Sequence, residues 1–260
     1  MLVPKDAATV MLVRDDPDLE VFMLRRNHAS VWIAGATVFP GGAVDDDDRH
    51  PRWTDRCTGW DDTRASRAIE RETGGLGFFV AAVRETFEEA GVLLARDAAG
   101  APVDASLTHL SEARADLNGG VQDFGGFVDD HDLALATDEL HVFSHWITPP
   151  GGPRRYDTWF FLAAAPPGEY RHDDSELIAS AWVRPVDALA AADRGEMDLI
   201  FPTRRNLEAL ARFDRSADAL EAARAADPST GGSFVTESVE GRRIALPGDP
   251  DPEGVLPCPT

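Results

Sequence analysis

The chain has 260 residues, 43% of them hydrophobic, and its 46 acidic and 25 basic side chains give a formal net charge of −21 at pH 7. Such a charge argues against nonspecific binding to a nucleic-acid polymer, which needs a cationic surface to displace counterions. No apolar run approaches the ~18 residues of a membrane span, and the N-terminal Met1-Leu2-Val3-Pro4-Lys5-Asp6 lacks the pattern of a secretory signal. One domain with embellishments is expected at this length. Cys57 and Cys258 read as two free thiols in a reducing cytoplasm.

In chain order, Ala7–Val13 reads as a first strand, Asp15-Asp16-Pro17 as a turn and Glu20–Leu24 as the hairpin partner. Thr37-Val38-Phe39 leads into a Pro40-Gly41-Gly42 turn, and a helix is expected over about 77–90. Residues 97–103 read as a loop and Ala105–Leu117 as a helix, with breaks at Asn118-Gly119-Gly120 and Gly125-Gly126. His131–Thr137 is expected to be helical. Val142–Thr148 and Thr158–Ala163 read as paired strands, and Ser180–Val183 as the last strand. Helices are expected over Pro185–Ala192 and Pro202–Phe213, followed from about 227 by a loosely packed segment rich in Pro, Gly and Asp. Mixed strands with helices on both sides predict an α/β fold, an α/β/α sandwich.

The stretch Arg84-Glu85-Thr86-Phe87-Glu88-Glu89-Ala90-Gly91-Val92 carries the chemistry. On a helix, Glu85, Glu88 and Glu89 fall within about a 100° arc, while Val80, Val83, Phe87 and Ala90 form the opposite, buried face. Glutamates three and four apart repel by roughly 0.2–0.5 kcal/mol per pair. A hard divalent cation would reverse that repulsion, since magnesium and manganese prefer carboxylate oxygens. The competing reading is a solvated acidic face with an Arg84–Glu88 pair.

This stretch resembles the second half of the Nudix box, R-E-U-x-E-E-x-G-U with U apolar, and only Thr86 departs from it. Gly41-Gly42 resembles the glycine pair that opens the box. The resemblance implies that Glu85, Glu88 and Glu89 bind Mg2+ or Mn2+, with Glu85 the direct ligand and the Gly42 carbonyl a further one. It makes Glu85, Glu89 and Arg84 the catalytic set, Arg84 ordering the box by pairing with a carboxylate. The standard box places a Glu where this chain has Leu76, and about 28 extra residues lie between Gly42 and Arg84. Asp45, Glu70 and Glu72 are the candidate partners of Arg84, with Glu72 the slight favourite. A split box resembles the coenzyme A diphosphatase-like branch related to the peroxisomal enzyme of animals. Arg25-Arg26 with Trp32, His145–Pro149 leading to Arg154–Phe161, and Ala181-Trp182-Val183 with Pro202-Thr203 support that branch.

The resemblance implies a Nudix domain over 1–226, an insertion at about 46–75, extra C-terminal helices and a tail over 227–260. It implies metal-dependent hydrolysis of a small-molecule diphosphate, with coenzyme A or acyl-CoA as first guess, in a protein for which a homodimer is plausible. Arg25, Arg26, Arg154 and Arg155 are candidates to hold the diphosphate. Glu89 or the loop residue Glu176 is the candidate general base. The alternative is a Nudix-fold module that binds nucleotide without turnover, favoured by the missing Glu at 76. His141 and His145 read as packing residues rather than a zinc pair, Asp157 as a turn residue, the tryptophans mostly as core, and Asp45–Asp48 as a solvated loop.

Overall fold

A computed structural model describes residues 2–27, 35–104, 108–168, 170–172 and 177–249. The chain enters through β1 (Lys5–Asp15), β2 (Leu19–Arg26), β3 (Thr37–Val38) and β4 (Gly41–Ala43). The insertion follows as a short 3-10 turn at Asp47–Arg49 and two small helices, α1 (Trp53–Arg56) and α2 (Asp62–Ala68). The glutamate-bearing helix is α3 (Leu76–Ala90). Next come β5 (Ala95–Arg96), α4 (Thr108–Asn118), α5 (Phe124–Asp130) and β6 (Ala134–Leu135). Then β7 (His141–Ile147), β8 (Tyr156–Ala164) and β9 (Leu177–Val183) are followed by α6 (Pro185–Asp193), α7 (Phe201–Leu210) and α8 (Ser216–Ala225). The described chain closes with β10 (Phe234–Ser238) and β11 (Gly241–Ile244).

The main sheet runs β10-β11-β7-β8-β1-β2-β3, with β4 also paired to β1 and β9 to β2. β1 and β8 are parallel and the other pairs antiparallel, so the sheet is mixed. β1 is buried on both faces, as a central strand must be. Its residues Ala8, Val10 and Leu12 join the core under α3, while Met11 and Val13 join the core under α7 and α8. β8 alternates the same way, Trp159 and Phe161 to the first core, Phe160 and Leu162 to the second. The expected α/β/α sandwich is the architecture found.

Three expectations need correction. The helix expected at His131–Thr137 lies about two turns earlier as α5, across the glycines expected to break the chain. Asp123 caps it by accepting from the Gly126 N–H, and Arg52 packs so close to Gly125 that a Cβ there would meet its guanidinium. The segment from 227 is not loose over its described part. Its strands extend the main sheet and bury Val235, Ile244 and Leu246. The Asp45–Asp48 stretch is not a wholly solvated loop either, because Asp48 is 2% exposed.

Trp146 and Trp159 are buried and Trp182 half-buried; Trp32 and Cys258 lie outside the described residues. Burial pushes the free Cys57 thiol up to about 12. His145 stacks on Trp159 at 4.1 Å with Nε2 2.5 Å from Asp157 Oδ1, so His145 is the packing residue expected, whereas Asp157 is a strand residue of β8 and not the turn residue expected.

Candidate active site

The sequence folds α3 into place by fixing its two ends and one face. The Asp62 carboxylate of the insertion accepts from the Gly74 and Leu76 N–H groups at 2.9 and 3.0 Å, satisfying free donors at the helix start. At the other end Gly91 takes a left-handed φ of 69° as the C-cap. Arg114 and Asn118 of α4 donate to the Glu88 carbonyl, adding a cation where the helix dipole is negative. Phe78, Phe79, Val80, Val83, Phe87 and Ala90 are fully buried, and Thr86 fits its apolar position by donating Oγ1 to the Ala82 carbonyl.

Arg84 organises the polar face. Its Nε and Nη2 donate to Asp48 Oδ1 and Oδ2 at 2.9 and 2.8 Å, and Nη2 also donates to the Ala43 carbonyl. Its Nη1 donates to both Glu85 Oε1 and Glu88 Oε2, at 2.9 and 3.0 Å. Burial works against the Arg84 charge, but Asp48, Glu85 and Glu88 outweigh it and hold its pKa far above the ordinary value. Burial raises the Asp48 carboxyl, opposed by its two hydrogen bonds from Arg84. The favoured partner Glu72 and the candidate Glu70 are therefore replaced by Asp48: Glu70 pairs with Arg242, and Asp45 stands off at 3.6 Å. Leu76 is 5% exposed in the core, so a carboxylate at that position would be buried among apolar groups.

Glu85 and Glu89 face the β4 turn. Glu89 Oε2 accepts from the Gly41 N–H at 2.8 Å, and a Cβ on Gly42 would fall 2.5 Å from the Glu85 carboxylate. Burial pushes the Glu85 carboxyl up to about 7, Arg84 opposing the shift and Glu88 adding to it. Burial also raises Glu88, again opposed by Arg84. Among the described residues no three His, Cys, Asp or Glu side chains converge on one point, because these carboxylates turn toward Arg84 and the Gly41 N–H. The donor set nevertheless fits a hard cation. It is all carboxylate oxygen, half-buried, and carries more negative charge than one guanidinium offsets.

A cavity of about 860 Å3 opens beside these glutamates, within the size range of small-molecule sites. Ala7, Thr9, Thr158, Phe160 and Trp146 of the sheet line it, with Glu85, Glu89, Gly41 and Gly42 at one side. Arg26 and Arg154 line it, whereas Arg25 is exposed outside its wall. Arg155 is also outside, its guanidinium donating to the Thr148 and Leu2 carbonyls. Glu176 lies outside the described residues. Sequence reasoning missed the roles of Asp48 and Asp62, and it missed Ile200, Phe201 and Glu240 of the C-terminal hairpin, which line the cavity with the Pro202-Thr203 pair it did single out.

A mixed sheet between helical layers, with an arginine-ordered carboxylate helix docked on a glycine turn, defines a hydrolase of the Nudix class. The family description "NUDT19 Nudix domain" matches residues 61–210. The acyl-coenzyme A diphosphatase NUDT19 of Gallus gallus is 30% identical, the match covering 82% of this chain and 70% of that protein. The Homo sapiens protein of the same name is 29% identical over 76% of this chain and 62% of its own length. A crystal structure of a NUDIX hydrolase from Alicyclobacillus acidocaldarius superposes with a TM-score of 0.73 at 30% identity, covering 85% of this chain and 97% of that one. The chain belongs to the Nudix hydrolase family and is an enzyme of its diphosphatase kind. No helix among the described residues is long and apolar enough to cross a membrane.

Proposed function

We propose that this protein hydrolyses the diphosphate of coenzyme A or an acyl-CoA to 3′,5′-ADP and a phosphopantetheine, with Mg2+ or Mn2+, in the cytoplasm. The observation that carries the reading is the half-buried Glu85–Glu88–Glu89 cluster, of which Glu85 and Glu89 line a cavity that Arg26 and Arg154 also line. The names of the chicken and human relatives support the substrate class.

Magnesium or manganese held by Glu85, Glu88, Glu89 and the Gly42 carbonyl would neutralise the diphosphate and acidify a water. The chain's own residues do the rest. Arg26 and Arg154 draw the anionic diphosphate into an otherwise acidic protein and offset charge as it builds on the phosphoryl oxygens. Glu89 takes the proton of the attacking water at a carboxylate oxygen. Arg84 holds Glu85 and Glu88 in place from behind and does not line the cavity.

The test is product analysis by mass spectrometry after incubation with coenzyme A, acetyl-CoA, NADH, ADP-ribose and Ap4A. Each is run with magnesium, manganese or EDTA, beside Glu85→Gln. Metal-dependent release of 3′,5′-ADP that Glu85→Gln abolishes is the expected result. Turnover retained by Glu85→Gln rejects the mechanism, and cleavage of another compound alone rejects the coenzyme A assignment. A non-catalytic binding module is the second reading, but Asp48 restores the ion pair whose missing Glu favoured it.

A further inference from the structure

The cavity floor crosses the sheet along one register, Ala43 on β4, Ala7 on β1, Thr158 on β8 and Trp146 on β7, and Gly241 on β11 continues the row behind Trp146. Adjacent strands lie ~4.8 Å apart, so Ala43 to Trp146 spans roughly 14 Å, about the length of four extended residues. The catalytic glutamates stand beside the Ala43 end. A substrate gripped there by its diphosphate sends one arm along this row toward Trp146.

The far end is built to hold an apolar group. Gly241 lets the Trp146 ring press on the β11 backbone, since a Cβ there would fall 2.1 Å from the indole. Trp146 Nε1 donates to Ser144 Oγ at 3.1 Å, and Ser144 donates to Asn206 Oδ1 at 2.7 Å, so the ring is fixed and its N–H already used. Phe201, at the start of α7, meets Trp146 edge-on at 5.6 Å and 87°. Ile200 and Pro202 flank it on the same wall, yet Phe201 remains 53% exposed. A large apolar surface left in water at a cavity wall gains when a ligand covers it.

The apolar lining of Trp146, Ile200, Phe201 and Pro202 decides which arm comes here. Glu240 lines the cavity beside β7, its carbonyl accepting from the Ile147 N–H at 2.8 Å. Arg26 stands on β2, across β1 from this end, and the exposed Arg154 belongs to the β7–β8 loop at the rim. An arm ending in a further phosphate gains nothing from this apolar wall and is left to Arg26 and Arg154. A neutral amide chain with an apolar end does gain from it.

We infer that the Trp146–Phe201 wall is the subsite for the neutral, apolar arm of the substrate, the pantetheine chain with its S-acyl group, and that Phe201 sets the preference for acyl length. This rests on the acyl-CoA reading above, and the test separates the two. Binding of S-dodecanoyl pantetheine, pantetheine and 3′,5′-ADP to the full-length protein is measured by calorimetry. The dodecanoyl thioester is expected to bind roughly tenfold or more tighter than pantetheine, which is ~1.4 kcal/mol. Phe201→Ser should erase that gain, Phe201→Leu should keep most of it, and 3′,5′-ADP should bind all three proteins alike. Gly241→Ala, which shifts the Trp146 ring, should also weaken the thioester and guards against a folding defect in Phe201→Ser. Equal thioester affinity in wild type and both disruptive variants overturns the inference. So does a loss confined to 3′,5′-ADP, or no thioester binding to wild type. Dodecanoyl-CoA turnover with magnesium is followed in parallel. Thioester binding that depends on Phe201 without turnover keeps this subsite and removes the diphosphatase reading; turnover indifferent to Phe201 does the reverse.

Discussion

Asp48 and Arg84 form a buried two-point ion pair, 2.9 and 2.8 Å, across 36 positions of sequence. Asp48 is 2% exposed and Arg84 8%, so removing the Asp48 carboxylate leaves two buried guanidinium N–H groups without their acceptor, while Glu85 and Glu88 still balance the Arg84 charge. Asp48→Ala is therefore expected to cost about 1.5–3 kcal/mol, the scale of lost hydrogen bonds to a charged group, measured by urea unfolding. Asp45→Ala, whose carboxylate is exposed and 3.6 Å from Arg84, is expected to cost about 1 kcal/mol or less. A reversed order would mean that Asp45 is the working partner in solution. Adding Leu76→Glu to Asp48→Ala should not rescue stability, because position 76 points into the core.

The raised Glu85 carboxyl makes a statement about stability and pH. Its folded value of about 7 lies above its ordinary 4.5, so the folded state holds the proton more tightly than the unfolded state. The resulting stability is complete below pH 4.5 and is lost as pH rises through 7. At 1.36 kcal/mol per unit the loss is ~3 kcal/mol for the metal-free protein. Glu85→Gln carries no charge and should lack this component, so its melting temperature in EDTA should exceed that of wild type at pH 8. Mn2+ should raise the wild-type melting temperature and leave Glu85→Gln nearly unmoved. A wild type as stable as the variant at pH 8 in EDTA would count against burial outweighing the Arg84 pair at Glu85.

The sheet strands and α3 were legible because they repeat with a period. Alternation in β1 and β8, and the Val80–Val83–Phe87–Ala90 face, state which side is buried. The carboxylate cluster was legible because its spacing is local to one helix. Asp48 was not, since a pair 36 residues apart leaves no periodic signal, and its setting in an acidic run disguised the one buried member. The C-terminal hairpin was missed for a related reason. Phe234–Ser238 and Gly241–Ile244 are short, polar and flanked by turn residues, and they become strands by pairing with the edge of β7. Phe201 and Trp146 meet only through tertiary packing, so the cavity wall has no sequence signature.

Arg154 and Arg155 are neighbours with different surroundings, which makes them a paired test. Arg154 lines the cavity, while Arg155 ties the Thr148 and Leu2 carbonyls together at 2.8 and 2.7 Å. Arg154→Ala should raise KM roughly tenfold, in line with the ~1.5–3 kcal/mol of a charged hydrogen bond, with little change in melting temperature. Arg155→Ala should lower the melting temperature and leave KM near wild type. If both raise KM alike, the loop moves as a unit and Arg155 cannot be assigned to structure alone.

Gly41 and Gly42 are adjacent in the turn but should fail in different ways. A Cβ on Gly41 would meet main-chain atoms of β1, 2.4 Å from the Ala8 carbonyl oxygen and 2.6 Å from Thr9 Cα. Those atoms belong to a central strand paired with β8 and cannot retreat, so Gly41→Ala should act on the fold. A Cβ on Gly42 would meet only the Glu85 side chain, 2.5–2.6 Å from its carboxyl atoms. The side chain can turn away, but Arg84 then loses one of its two glutamate contacts and the carboxylate leaves the cavity wall. Gly42→Ala is thus expected to remain folded, with a modest change in melting temperature, and to lose on the order of 100-fold in kcat, the scale seen when a preorganised group is displaced by an ångström. Calorimetry with Mn2+ should show weakened binding in Gly42→Ala. A Gly42→Ala enzyme with wild-type kcat and Mn2+ affinity would show that Glu85 does not need its present position. A Gly41→Ala protein as stable as wild type would show that β4 can shift away from β1 at little cost.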